Sequence, residues 1–213
     1  MKKILIIGAG GHARVAIDYL KSYKVDIIGL LDDNKDLIGK RIDNIGILGE
    51  IKDIVKLKGE FDECFVAFGD NCLRYDSVKL IEKLITGIKF ITITHPTAIV
   101  SESAFIGHGS FIGAGSIIGT KTRIGEHNII NSGAIIEHEC NLDDFVGVGP
   151  GARLASTIRV GKKTFIGMGS CVIEDIKIGK NSIVGTGSVV LKDIADKVVA
   201  VGIPAEVKKK NEQ

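Results

Sequence analysis

The stretch from Val100 to Ala195 constrains this chain more than any other. Counted in sixes from Val100, the first residue of each hexad is aliphatic sixteen times out of sixteen, from Val100, Ile106 and Ile112 to Val184 and Val190. The second residue is Gly in nine of the sixteen, among them Gly107, Gly119, Gly149 and Gly185. The fifth is mostly small, as at Ala104, Ser110, Ala134, Cys140 and Ser188. This period fits neither an amphipathic helix nor a simple alternating strand. One hexad reads as a short strand plus a corner, the unit of a parallel β-helix. Its aliphatic residue points inward and its small residue fits a narrow interior. Gly supplies the backbone conformation or the close approach that a tight corner needs. The repeat positions are scaffold, so chemistry is to be sought where the pattern breaks.

The first half of the chain has a different rhythm. Residues 2–8 form a short apolar run of the kind found in buried parallel strands. Gly8-Ala9-Gly10-Gly11-His12-Ala13 follows, and then Ala13, Ala16, Ile17 and Leu20 at helical spacing. Strands are expected at 25–31, 64–68 and 89–94, a short helix at 49–56, and a second helix at 72–85. That helix carries Val78, Ile81, Leu84 and Ile85 on one side. Alternating β and α elements predict a small doubly wound, Rossmann-like α/β domain over residues 1–94. His95-Pro96 marks the boundary, because the residue before Pro is pushed to extended geometry. The β-helix and a C-terminal tail then occupy residues 95–213.

Composition excludes several classes. A net charge of +2 is too small to argue for nucleic acid or an anionic membrane surface. No apolar run is long enough to span a bilayer, and Met1-Lys2-Lys3 leads into a strand rather than a signal-peptide core. Cys64, Cys72, Cys140 and Cys171 lack metal-type spacing and read as small apolar residues in a reducing, cytoplasmic compartment. Lys208-Lys209-Lys210 reads as a solvated tail.

Gly8, Gly10 and Ala13 match a G-x-G-x-x-G/A fingerprint after a strand, with Asp32-Asp33 about twenty residues on. About ninety residues make only half of a dinucleotide fold. A half domain suffices for one nucleotide, with backbone N–H groups at Gly10, Gly11 and His12 on a phosphate. Asp32 and Asp33 could then accept hydrogen bonds from a base or ribose. The competing readings are an inert βα turn and an NAD enzyme.

The repeat breaks at Ile136-Glu137-His138-Glu139-Cys140-Asn141, which carries no Gly and clusters charge at its corner. His138 is suited to take a proton near neutral pH, and Glu139 could hold its ring in one tautomer. With three hexads per coil, Thr120, His138, Ser156, Glu174 and Lys192 form one polar, outward column. His108 and His127 lie on another face and read as surface histidines without a role; His95 sits at the linker.

These residues resemble a known family, the bacterial sugar acyltransferases with left-handed parallel β-helices. It includes the sialic acid O-acetyltransferases and UDP-4-amino-sugar N-acetyltransferases of surface-glycan biosynthesis. The resemblance spans the glycine loop, Asp32-Asp33, the hexads, Glu137 to Cys140, Pro150 to Ala152 and Gly202-Ile203-Pro204-Ala205. It implies a homotrimer binding acetyl-CoA between neighbouring β-helices, with no metal. It implies a nucleotide sugar on the N-terminal domain, with His12 near phosphate and Asp32 and Asp33 near the base. His138 would be the general base, Glu139 its partner and Asn131 a contact to the acceptor sugar. Gly147, Ser156, Gly202 and Pro204 would contact acetyl-CoA. Two of these depart from the family pattern, since Gly147 stands where many members have His and Ser156 where many have Gly. The expected activity is acetyl transfer to the amine of a nucleotide-linked 4-amino sugar. Sugar O-acetylation and a non-catalytic nucleotide-sugar-binding scaffold are the alternatives.

Overall fold

The structure is a computed structural model that describes residues 1–212. The chain divides into two compact units, one ending at Ile93 and the other starting at Thr94.

In the first unit, β1 (Lys2–Ile7) is the buried centre of a sheet, because Ile4 to Ile7 have no polar side to offer water. It runs parallel to β2 (Val25–Leu31) on one side and β5 (Glu63–Val66) on the other. Helix α1 (Gly11–Leu20) buries Ala13, Ala16, Ile17 and Leu20, as their spacing predicts. Helix α2 (Asn71–Leu84) starts where Asp70 accepts hydrogen bonds from Cys72 N and Leu73 N at 2.9 and 2.8 Å.

The short helix is a 3₁₀ segment, Ile51–Leu57, closed at its start by a capping box between Glu50 and Asp53. The unexpected element is an antiparallel hairpin of β3 (Arg41–Ile42) and β4 (Ile45–Gly49). Its turn residues Asp43 and Asn44 adopt left-handed φ of 46° and 68°, which suits the twist of a two-residue hairpin. The strand expected at 89–94 is not continuous. Only Phe90 bridges to Cys64, and Ile93–Thr94 is a separate two-residue strand. The apolar run there resembles a strand in composition, but β5 pairs with it at that one point only.

In the second unit, each two-residue strand pairs in parallel with those eighteen residues away, as Ile117 does with Ile99 and Ile135. Three faces result. The first runs from Ile99–Val100 to Val189–Val190, the second from Phe105–Ile106 to Lys177–Ile178, and the third includes Phe111–Ile112 to Ile183–Val184. The first-position residues from Ile112 to Val190 are buried in one continuous core. Burial of each such side chain is worth about 1.5–3 kcal/mol relative to exposure. Fifth-position hydroxyls are buried too and bond to corner carbonyls, as Ser116 Oγ does to Gly113 O at 2.8 Å and Ser170 Oγ to Gly167 O at 2.7 Å.

The corners divide the work of Gly between two positions. Second-position glycines have no left-handed φ; they permit close approach between coils. A Cβ on Gly119 would stand 2.6 Å from Glu137 C and His138 N, and one on Gly149 would stand 2.5 Å from Met168 N. The left-handed turn is made two residues later, at every sixth residue from Gly109 to Gly187. Eight of those fourteen residues are not Gly, including His127, Glu139 and Phe145.

Two expectations are corrected here. His127 is not a surface residue: it is 1% exposed and stacks on Phe145, its ring centroids 5.0 Å apart. Side chains at this corner position lie above one another in adjacent coils, and Gly109 beneath leaves room for the imidazole. Lys208 to Lys210 are solvated but not a loose tail. They belong to a strand, Glu206–Lys210, antiparallel to Val198–Val201.

Candidate active site

The edge between the first and second faces carries the break in the repeat. His138 occupies the third hexad position and Glu139 the left-handed fourth, with φ 59°. Their backbone is held from both sides. Glu139 N donates to Thr120 O at 2.9 Å, and His138 O accepts from Thr157 N at 3.0 Å. Thr122 Oγ1 donates to Glu137 O at 2.6 Å. Gly119 lets the coil bearing His138 approach the coil below.

On this fixed backbone His138 Nδ1 lies 3.2 Å from Glu139 Oε2, both side chains about half exposed. A carboxylate on Nδ1 favours the tautomer with its proton there, leaving the Nε2 lone pair toward solvent. Ser156 stands one coil further along the same column, about 4.8 Å on. Its backbone N–H finds no acceptor among the described residues. Cys140 is buried, with Sγ 3.1 Å from Ala155 O, and burial raises its thiol pKa. It is packed as an inert thiol, whereas the His138 ring is open to solvent.

A second constellation forms in the first unit where β1 and β5 lie side by side and their chains leave in different directions. Such a switch point at the carboxyl ends of parallel strands opens a crevice. Gly8 turns the chain there with φ +100°, and a Cβ on it would come within 3.1 Å of the Phe68 ring. Gly10 and Gly11 are different. Neither has a left-handed φ, and a Cβ at either would meet nothing within 4 Å. Helix α1 opens with Gly10 as its N-cap, and no side chain caps it. The result is an open space facing uncapped helix N–H groups, which is what an anionic group needs.

Asp32 and Asp33 are engaged with the protein itself. Asp32 accepts from Ala9 N at 2.7 Å and Asn34 N at 2.8 Å, tying the glycine loop to β2. Asp33 Oδ1 accepts from Ile51 N at 2.9 Å, and the residue is otherwise exposed. His12 is largely covered beside the Phe65 ring, centroids 6.0 Å apart. Burial, helped by the Arg74 charge, lowers its pKa to about 4, so its imidazole is neutral near pH 7.

The remaining predicted residues stand on the third face or along the edge between the third and first faces. Asn131 Nδ2 donates to Val148 O at 2.8 Å. Gly147 is buried in its two-residue strand, in register with Ile129 and Phe165. Gly202 has φ +109°, its N–H donates to Ser188 Oγ at 3.1 Å, and a cis peptide joins Ile203 to Pro204. Within one chain, then, His138, Glu139 and Ser156 share one edge, Asn131, Gly202 and Pro204 lie along the next, and Gly147 lies on the third face. Sequence reasoning missed Arg74, buried at the foot of α2. The signal was there: it follows Asn71 by one helical turn and precedes Ser77, Val78 and Ile81 on the buried face of that helix.

Residues 3–81 match the family described as the PglD N-terminal domain, and residues 157–192 match the bacterial transferase hexapeptide (six repeats). Among solved structures, the chain is similar to a histidine-to-alanine variant of GDP-perosamine N-acetyltransferase from Caulobacter crescentus, in complex with CoA and GDP-perosamine. The identity is 33% over 99% of this chain and 98% of that one, with a TM-score of 0.92. It is also similar to the acetyltransferase domain of PglB from Neisseria gonorrhoeae FA1090 in complex with acetyl coenzyme A, 31% identical over 97% and 99% of the two chains with a TM-score of 0.87. WeeI from Acinetobacter baumannii AYE, 23% identical over 98% and 100% with a TM-score of 0.86, shares the fold.

Proposed function

This chain belongs to the bacterial sugar N-acetyltransferases with left-handed hexapeptide-repeat β-helices, and from that premise we propose that it acetylates the amine of a nucleotide-linked 4-amino sugar, with acetyl-CoA as donor. Acetyl-CoA supplies the activated acyl group. His138 Nε2 takes the proton of the attacking amine and returns it to the departing thiolate. Glu139 holds the imidazole tautomer and stabilises the imidazolium. The Ser156 N–H donates to the carbonyl oxygen as negative charge grows on it. A side chain at 156 does not remove that N–H, so the departure from Gly there leaves the donor in place. Gly147 removes a side-chain contact to the donor that many members have.

The observation that carries this reading is the His138–Glu139 pair at 3.2 Å on a backbone pinned by both neighbouring coils. The acceptor assignment is supported by the open space at Gly10 and Gly11 before the uncapped start of α1. There the diphosphate would lie, beside a neutral His12. Asp32 keeps the loop in place, and Asp33 is the better placed of the two to reach a base. Asn131 would contact the acceptor sugar, and Gly147, Gly202 and Pro204 the donor.

A homotrimer is supported by a contrast between two faces. The first face points Ile99, Ile117, Ile135, Cys171 and Val189 outward, interrupted only by Arg153, whereas the second face points out Arg123, Asn141, Arg159 and Lys177 after a single apolar residue, Phe105. Association through the apolar face would bring the His138 edge of one protomer beside the Asn131 edge of its partner. A cytoplasmic setting suits the four free cysteines. The deciding experiment is a thiol-release assay with acetyl-CoA against UDP-, GDP- and dTDP-linked 4-amino sugars. Turnover with one of them is expected. Absence of turnover with all, or a monomeric mass by light scattering, overturns the reading.

A further inference from the structure

Arg74 is a cation set inside the first unit, 1% exposed. Burial pulls its pKa down to about 9, so the guanidinium keeps its charge near pH 7. Several of its hydrogen bonds run to one short segment. Nη1 donates to Phe68 O at 2.8 Å and Gly69 O at 3.3 Å, and Nη2 donates to Asn71 Oδ1 at 2.7 Å. This segment is the turn from β5 into α2, one wall of the switch-point crevice. Its Phe68 ring lies against Gly8, where a Cβ would come within 3.1 Å. Arg74 thus braces the wall on which the glycine loop rests. Its charge is also felt across the crevice, since it helps to keep the imidazole of His12 neutral.

We propose that Arg74 is the positioning and specificity-determining residue of the glycine-loop site: its planar fork fixes the Phe68–Asn71 turn against the loop, and its buried charge selects a diphosphate. The proposal rests on the nucleotide-sugar reading of that loop. A charge held in a poorly polarisable interior acts on a nearby anion more strongly than the same charge in water. Helix N–H groups attract an anion with partial charges only, about half an elementary charge at the helix start. With His12 neutral, Arg74 supplies a full positive charge from the buried side of the loop, whereas Arg14 at the start of α1 is exposed and screened by water. An acceptor carrying a diphosphate should therefore be favoured over one carrying none, and the preference should depend on residue 74. Among the groups facing this pair, Arg74 of α2 acts on His12, the apolar ring of Phe65 in β5 lies beside it, and the Asp70 carboxylate at the start of α2 acts on Arg74.

The test is binding of GDP, UDP and dTDP by calorimetry, each beside its nucleoside, to the full-length wild type, Arg74→Met and Arg74→Lys. In Arg74→Met the affinity for the preferred nucleoside diphosphate should fall at least about tenfold. The nucleoside should bind as it does to wild type. Arg74→Lys keeps the charge without the fork and should fall between. By NMR, His12 should titrate at a higher pH in Arg74→Met than in wild type and stay near the wild-type value in Arg74→Lys, because the charge is lost in the first and kept in the second. An unchanged diphosphate affinity in folded Arg74→Met, or an equal loss for nucleoside and diphosphate, overturns the proposal. Should Arg74→Met not fold, Arg74→Lys decides, with loss for the diphosphate alone as the required result. Wild-type binding of none of the three overturns both this inference and the nucleotide-sugar reading. Normal binding with Arg74 dependence but no acetyl transfer removes only the proposed reaction.

Discussion

The glycine loop and the His138 edge are built on opposite plans. At the loop, Gly10 and Gly11 leave space, and the polar groups on offer are main-chain N–H groups at the start of α1. At the edge, two side chains meet on a backbone whose neighbours above and below hold it. A large anion can be received by omission, because main-chain donors are already aligned and only bulk must be avoided. Proton transfer needs one particular atom at one point, so the site is made by addition. The same residue type reads differently in the two places. Gly11 faces emptiness, whereas Gly119 faces the backbone of Glu137 and His138 at 2.6 Å.

The sharpest way to break this contrast is His138→Ala. Removal of a general base should lower kcat by about 10²- to 10⁴-fold while both substrates still bind. A sugar amine is partly unprotonated and attacks with less help than a hydroxyl, so N-acetylation predicts the lower part of that range. A loss near the upper end points to O-acetylation, and wild-type turnover in a folded trimer returns His138 to an idle surface residue.

Gly119→Ala should come next. The new methyl must displace the coil carrying the base, and misplacement of about 1 Å can cost about 10²-fold in rate. Unchanged kcat in this variant would mean that the edge adapts and is not a fixed frame. Gly11→Val should act on the other plan, raising the acceptor KM at least about tenfold, a loss of about 1.4 kcal/mol, with acetyl-CoA binding unaltered. Equal damage to both substrates indicates misfolding and removes the distinction between the sites. Glu139→Ala should have the smallest effect, because the carboxylate orients the ring and does not take the proton. A loss of kcat as large as that of His138→Ala would make Glu139 an equal partner in the chemistry.

The β-helix was legible because its period is written in every hexad, and a residue's place in the hexad sets its face. The break at Glu137 to Cys140 was visible against that regular background. What the sequence hid were effects of three-dimensional neighbours. The left-handed turn falls on Lys121, His127, Glu139 and Phe145 as readily as on Gly, so no residue type marks it. His127 looked exposed because its burial comes from a ring eighteen residues away. The 89–94 run has the composition of a strand but, in the first unit, a partner only at Phe90. The hairpin turn at Asp43-Asn44 left a weaker trace than an Asn-Gly pair would have. Asp32 was read as an acceptor toward a base or ribose, and the structure shows it accepting from the protein's own Ala9 N and Asn34 N. Arg74 was passed over because a cation on an amphipathic helix normally belongs to the wet side.

The eighteen-residue register makes the second unit behave as a screw of fixed thread. Removing one full turn of eighteen residues would lower everything beyond it by one coil, about 4.8 Å, and leave each residue on its own edge. Removing six would rotate everything beyond the cut by a third of a turn. A six-residue deletion between Asn131 and His138 would carry His138 onto the edge that now bears Asn131. Changes in the length of the second unit are therefore quantised, and only multiples of a whole turn, or loops thrown outward at a corner, preserve the alignment of the His138 edge.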